Sequence, residues 1–226
     1  MCIRDSNVTL PYKERVVGKV RVDDPDISRI GSANTVTFTG DGPKGHNTDF
    51  SGFVSAWHNA FGDATPGSVV MFGAGGVGKA IAFGLKRLKA REIVFIETDT
   101  AKAAALADSI NASTRGVTLA RVGTLEDLEA AEGVVNSTPL GMVGYGGTPV
   151  PDGAFPDARW AFDAVYTPLD TLFKVQAEQA GATFLSGYEL YYYQGVDAFE
   201  IFTGVPVPDH AELRARLAGD AAQATV

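Results

Sequence analysis

The sequence predicts an α/β fold: a Rossmann-type doubly wound parallel sheet beside a smaller α/β domain. Three observations carry this. From Val69 onward, apolar strand-like runs alternate with helix-like stretches, a pattern that builds a parallel sheet covered on both faces. Gly73-Ala74-Gly75-Gly76-Val77-Gly78 lies where the apolar run 68–72 gives way to the helical stretch 79–88, the strand-turn-helix context of a dinucleotide fingerprint. The next apolar run, 93–96, ends in Glu97-Thr98-Asp99, and Glu97 stands 24 positions past Gly73, near the spacing of about 20 expected for a ribose-binding acid.

In chain order, residues 1–49 contain short extended segments at 7–10 and 33–38 between polar and Gly-rich turns. Phe53, Val54, Trp57 and Phe61 recur at helical spacing, so a helix is expected to start near Asp49. A loop at 62–67 containing Pro66 follows. Strands are expected at 69–72, 92–96, 117–121, 133–136, 160–163 and 183–185, with helices at 77–88, 101–111, 125–130 and 171–180. A long helix runs from Gly187 to about Phe202, then a Pro-rich turn and an amphipathic helix at 210–217, with 221–226 fraying. Residues 51–186 are read as the dinucleotide-binding domain. Residues 1–50 and 187–226 are expected to form the second, smaller domain.

Composition narrows the function classes. The 226 residues are 45% hydrophobic and 20% charged, which is ordinary globular composition. The net charge of −8 argues against nucleic-acid and anionic-membrane partners, which select basic patches. Cys2 is the single cysteine, so no disulfide framework is expected and a reducing cytoplasm is the simplest compartment. His46, His58 and His210 lack ligand-like spacing, and no metal is expected. The apolar stretches fall short of the ~20 residues that span a bilayer, and no targeting segment is expected.

The chemistry-bearing residues each carry a bland alternative. Gly73 permits a tight turn, Gly75 admits a pyrophosphate to the backbone, and Gly78 lets helix and strand approach, with the anion on the helix N-terminus. An acid at Glu97 accepts hydrogen bonds from an adenosine ribose and repels a 2′-phosphate, so NAD is expected over NADP. Glu97 and Asp99 are otherwise solvated strand-end groups. Lys13 and Asp49 are the candidates for proton chemistry, yet taken by themselves Lys13 reads as a surface lysine after a turn and Asp49 as a helix N-cap. Lys79 either touches phosphate or is solvated, Thr138 is most simply a strand-end turn residue, and the Tyr191-Tyr192-Tyr193 run favours interdomain packing over a cleft wall.

Asn7-Val8-Thr9-x-Pro11-x-Lys13, Asn34-Thr35, Asn47-Thr48-Asp49-x-x-Gly52-Phe53, Gly73-Ala74-Gly75-Gly76, Asn136-x-Thr138-Pro139-x-Gly141-Met142, and Gly187 with Gln194 seven residues on together resemble the shikimate dehydrogenase family, in the family's order from Asn7 to Gly204. The chain is most similar to the NAD-dependent quinate/shikimate dehydrogenases; NADP-using members carry an arginine after the second strand that this chain lacks. The resemblance implies hydride transfer between nicotinamide C4 and a ring carbinol carbon of shikimate or quinate, giving the 3-dehydro ketone, and a role linked to aromatic amino acid biosynthesis. It implies that Lys13 exchanges the hydroxyl proton while Asp49 bonds the same hydroxyl and holds Lys13. Thr9, Asn34, Gln194 and Tyr166 would contact substrate. Gly73, Ala74, Gly75, Gly76, Val77, Gly78, Glu97 and Asp99 would hold the coenzyme, with Thr138, Met142, Val165, Gly187 and Leu190 about its nicotinamide half. Relatives begin with strand-helix units and a serine pair for the substrate carboxylate that are not found before Asn7, so the resemblance implies that residues 1–50 and 187–226 form a smaller, truncated α/β substrate domain and that the chain is N-terminally incomplete. Leu190 stands where many relatives have Met, and Glu97 where close relatives have Asp. The alternatives are an NADP-dependent biosynthetic enzyme or a non-catalytic dinucleotide-binding fragment; Lys13 and Asp49 favour an enzyme. A folate-type methylene dehydrogenase suits Asn34-Thr35 and Asn47-Thr48-Asp49 less well. Homodimerisation is left open.

Overall fold

The computed structural model describes residues 4–9, 11–113 and 118–223. Two sheets are present among them. Strands β1 (Asp5–Asn7), β2 (Thr35–Thr39) and β3 (Gly42–His46) form an antiparallel sheet in the order β1-β2-β3. Strands β4 (Ser68–Phe72), β5 (Glu92–Ile96), β6 (Leu119–Val122), β7 (Gly133–Asn136), β8 (Trp160–Asp163) and β9 (Thr183–Ser186) form a parallel sheet in the order β6-β5-β4-β7-β8-β9. The order reverses between β4 and β7, so the connections leave the sheet in opposite directions and open a crevice at the strands' carboxyl ends.

Side chains of β4 alternate between two buried layers. Val69 and Met71 join Phe53, Trp57, Phe83 and Phe162 on one face, and Val70 and Phe72 join Val134, Ala161 and Phe173 on the other. Both faces are therefore dry, which explains why these strands read as apolar runs. The helices are α1 (Lys13–Val17), α2 (Pro25–Ile30), α3 (Thr48–Phe61), α4 (Gly76–Arg87), α5 (Thr100–Ala112), α6 (Leu172–Gln179), α7 (Gly187–Thr203) and α8 (His210–Gln223). Local chemistry ends them where expected. Asp99, Thr171 and Ser186 accept a backbone N–H at the starts of α5, α6 and α7, and α7 stops at Gly204 in the left-handed region (φ 70°).

Helix α3 joins the two sheets. Phe53 meets Phe162 edge-on at 5.1 Å and Trp57 meets Trp160 at 4.7 Å, anchoring it on the parallel sheet. A Cβ at Gly84 of α4 would lie 2.6 Å from the Phe53 ring, so a glycine lets that ring sink between the helices. The expected domain boundary at residue 50 falls inside α3.

Several expectations are corrected. Residues 42–46, expected as turn, form β3. Its Gly42-Pro43-Lys44-Gly45-His46 composition hides the strand, and a Cβ at Gly45 would lie 2.5 Å from Val20, so packing rather than propensity selects the residue. The extended segment at 7–10 is displaced to β1, with Leu10 outside the described residues. Helices α1 and α2 were not expected; at five and six residues they are too short to show periodicity. Residues 125–130 form a 3-10 helix rather than an α-helix, started by a reciprocal Thr124/Asp127 cap. The strand expected at 117–121 appears as β6, with Val117 outside the described residues. Helix α8 runs through Gln223, past residues expected to fray. Asn47, not Asp49, caps α3: its side chain accepts the Phe50 N–H at 3.1 Å.

Candidate active site

Releasing Asp49 from capping leaves its carboxylate free for Lys13. Lys13 Nζ donates to Asp49 Oδ2 at 2.7 Å. The pair is partly buried, with side-chain exposures of 26% and 13%, enough shelter to hold a geometry and enough opening to meet a ligand. Lys13 opens α1, and its carbonyl accepts the Ala33 N–H at 2.9 Å, which ties that helix to the segment leading into β2. Asn34 is buried on that segment. Its Nδ2 donates to Thr48 Oγ1 at 3.0 Å and its Oδ1 accepts the Thr48 N–H at 2.7 Å, so Asn34 braces the residue before Asp49. Thr9 is exposed beside α1.

Gln194 arrives from α7. A Cβ at Gly52 would lie 2.6 Å from the Gln194 backbone nitrogen, and Gly52 is three residues past Asp49, on the same helix face. One turn further round, the Ser51 hydroxyl donates to Asp197 of α7. Burial pushes the Asp197 carboxyl up, only partly offset by Ser51.

Across the crevice, Gly73 adopts φ +94°, a conformation open to glycine. A Cβ at Gly73 or Gly78 would lie 2.9 or 2.8 Å from Ser137 Oγ. Ser137 Oγ in turn donates to the Phe72 and Gly73 carbonyls at 2.7 and 3.0 Å. Nothing stands within 4 Å of a Cβ built at Gly75 or Gly76, so the turn faces open space. Ala74 is buried, and Val77 partly so. The Ala74 N–H donates to Glu97 Oε2 at 2.8 Å. Burial pushes the Glu97 carboxyl up, but the bonds from Ala74, Thr98 and Asp99 outweigh it and hold the group below its ordinary range. Asp99 instead caps α5, accepting the Lys102 N–H at 3.1 Å.

Along β7 and β8, Thr138 turns the chain by donating its N–H and hydroxyl to Asn136 Oδ1 at 3.0 and 2.7 Å. Met142 is exposed, while Val165 and Leu190 are buried. Tyr166 stacks on Tyr191 at 5.0 Å between centroids. Tyr192 bonds His210 Nδ1 at 2.8 Å beneath the Arg214 guanidinium. A Cβ at Gly187 would lie 2.5 Å from the Asp163 carbonyl, which demands glycine where α7 meets the end of β8. Lys79 reaches Glu14 of α1 at 3.4 Å, bridging the two sides of the crevice.

No family model matches the chain. The NAD(+)-dependent quinate/shikimate dehydrogenase of Corynebacterium efficiens is 37% identical over 213 residues, covering 92% of this chain and 75% of its own. The chain belongs to the shikimate dehydrogenase family. An NADP(+)-dependent shikimate dehydrogenase of Haloarcula marismortui is 41% identical over 206 residues, covering 89% and 74% of the two chains. Among solved structures, quinate dehydrogenase from Corynebacterium glutamicum in complex with NAD superposes with a TM-score of 0.86 at 35% identity, covering 96% of this chain and 78% of the other. Shikimate 5-dehydrogenase from Thermus thermophilus in complex with NADP(H) and shikimate gives 0.83 at 33%, covering 96% and 80%. The chain is an oxidoreductase of this family on a Rossmann-type sheet, and the family's members named here use NAD or NADP.

Two groups escaped sequence reasoning. Asp197 was hidden in the amphipathic pattern of α7. Asp163, wholly buried at the end of β8, was read as the last residue of a strand; an acid closing an apolar run at a carboxyl strand end was the available signal.

Proposed function

We propose that this oxidoreductase moves a hydride between NAD(H) and the ring carbinol carbon of shikimate or quinate, with Lys13 and Asp49 as its proton-handling pair. The observation that carries the reading is the 2.7 Å Lys13–Asp49 contact formed between elements 36 residues apart. The open turn at Gly75 and Gly76 and the acceptor at Glu97 suit a dinucleotide. When bound, the nicotinamide accepts or returns the hydride. On oxidation, Lys13 Nζ gives one proton to water and takes the substrate hydroxyl proton in its place as the carbinol carbon becomes a ketone. On reduction it returns that proton to the developing alkoxide. Asp49 bonds the same hydroxyl and keeps the ammonium in line, so geometry is set before chemistry. Thr9, Gln194, Tyr166 and the second Asn34 amide hydrogen supply neutral contacts to other ring groups, and a site of unpaired polar groups rejects analogues that leave them empty. Glu97, held ionised by the Ala74 N–H, accepts from an adenosine ribose and repels a 2′-phosphate, which favours NAD. Gly73, Gly78, Thr138, Met142, Val165, Gly187 and Leu190 shape the remaining coenzyme surface.

The test is absorbance at 340 nm with NAD and with NADP, each against shikimate and quinate, on the protein and on Lys13→Ala. The expected outcome is NAD-dependent turnover that falls by roughly 10²–10⁴ in the variant, with NADH binding retained. Faster turnover with NADP overturns the coenzyme assignment. Absence of turnover with both ring substrates while NADH binds overturns the substrate assignment.

A further inference from the structure

Asp163 combines features that core packing alone does not require. Its side chain is fully buried, and Oδ1 accepts Asn136 Nδ2 at 2.9 Å and the Val165 N–H at 3.0 Å, while Oδ2 accepts Thr171 Oγ1 at 2.6 Å. All three partners are neutral. A buried acid without a cation is costly, and burial pushes this carboxyl up to about 6. The two core layers on the sheet faces are built from apolar side chains, and the buried polar groups Asn136 and Asp163 meet at the carboxyl ends of β7 and β8.

The bonds continue outward from that carboxyl. Asn136, itself fully buried, passes its second amide hydrogen to the Leu140 carbonyl at 3.0 Å and accepts the Thr138 N–H and hydroxyl. Thr171 Oγ1 accepts the Lys174 N–H at 3.1 Å and so caps α6. Val165 begins the loop that carries Tyr166. One carboxyl thus joins the loop after β7, the loop after β8 and the start of α6. These segments lie on one side of the β4/β7 reversal, opposite the Gly73–Gly78 turn and Glu97. A dinucleotide crossing the reversal rests one half on each side.

We propose that Asp163 is a positioning residue, setting the β7 and β8 loops against the nicotinamide half of the coenzyme through Asn136, Val165 and Thr171. The proposal rests on reading the crevice as a dinucleotide site. Asp163 touches no reacting atom; it acts by fixing groups that do.

The experiment compares Asp163→Ala and Asp163→Asn. Alanine strands three donors, whereas asparagine keeps Oδ1 for Asn136 and Val165 and turns an amide toward the Thr171 hydroxyl. The readouts are kcat, the isotope effect with substrate deuterated at the carbinol carbon, and the affinities for NADH and for ADP-ribose, which lacks the nicotinamide. Asp163→Ala should lower kcat by about 100-fold, the scale of an ångström-sized misplacement. Its isotope effect should rise, and NADH affinity should fall relative to ADP-ribose affinity, which stays unchanged. Asp163→Asn should restore most of kcat. If alanine does not fold, Thr171→Val should give the same split at smaller size. Wild-type behaviour in Asp163→Ala, or parallel loss of NADH and ADP-ribose binding, overturns the proposal. Absent turnover in the parent protein counts against the proposed function alone, because the ratio of NADH to ADP-ribose affinity still decides this one.

Discussion

Asp163 and Glu97 are both carboxyls at strand ends, and their surroundings drive them apart. Burial raises both, but Glu97 receives backbone and hydroxyl donors that reverse the effect, whereas the donors to Asp163 do not offset its burial and leave it near 6. An unfolded aspartate titrates near 3.9, so between about pH 4 and 6 the native state holds a proton at Asp163 that the unfolded state has released. Stability from this group is therefore complete below pH 4 and is lost as pH rises through 6. The difference in unfolding free energy between the parent and Asp163→Asn should shift against the parent by roughly 2 kcal/mol from pH 4 to pH 7. Urea denaturation across that range measures it, and a flat difference would contradict the assignment.

At the level of elements, the contact between α3 and α7 sets Asp49 against Gln194, on the side proposed to take the substrate. Gly52 lets the helices meet backbone to backbone, with Gln194 nitrogen 2.6 Å from where a Cβ would stand. Backbone cannot rotate aside as a side chain can. Gly52→Val should therefore separate the helices and cost about 1–3 kcal/mol. Because Asp49 sits one turn away on α3 and Gln194 on α7, the same change should raise KM for the ring substrate while leaving NADH affinity intact. Thermal denaturation together with steady-state kinetics checks both halves, and an unchanged KM would dissociate Gln194 from substrate.

At the scale of the molecule, the two sheets are joined unequally on the two sides of the crevice. Lys79–Glu14 crosses its mouth at 3.4 Å with side-chain exposures of 33% and 67%, and such pairs contribute about 0–1 kcal/mol. At the α2–α4 contact, Asp26 takes Lys86 Nζ at 2.5 Å and Arg87 Nη2 at 2.8 Å, and Asp24 takes Arg87 at 3.1 Å. Burial pushes the Asp26 carboxyl up, but Lys86 and Arg87 outweigh it and hold it below its usual range. Its contribution is present at neutral pH and is lost as pH falls below about 4. Asp26→Asn should lower unfolding stability by about 1–3 kcal/mol, since it leaves the partly buried Lys86 short of a counter-charge while the exposed Arg87 keeps Asp24. An unchanged denaturation midpoint would show that this cluster does not hold α2 to α4.

The parallel sheet, its glycine turn and its main helices were legible because each is written locally. A strand dry on both faces must be an apolar run, a helix on such a sheet must repeat its apolar face, and the turn between them needs glycine where Ser137 leaves no room for a Cβ. Lys13 and Asp49 were legible as candidates through the motifs around them, but each kept a bland reading. The tertiary structure gave the α3 cap to Asn47 and brought Lys13 of α1 to Asp49 of α3, a meeting that the motifs by themselves could not place. It alone revealed β3, whose Gly45 is held to glycine by contact with Val20, and it alone made Asp163 the junction of three segments. Those facts depend on strand order and helix crossings between residues far apart in the chain, and no local periodicity encodes which distant surfaces will meet.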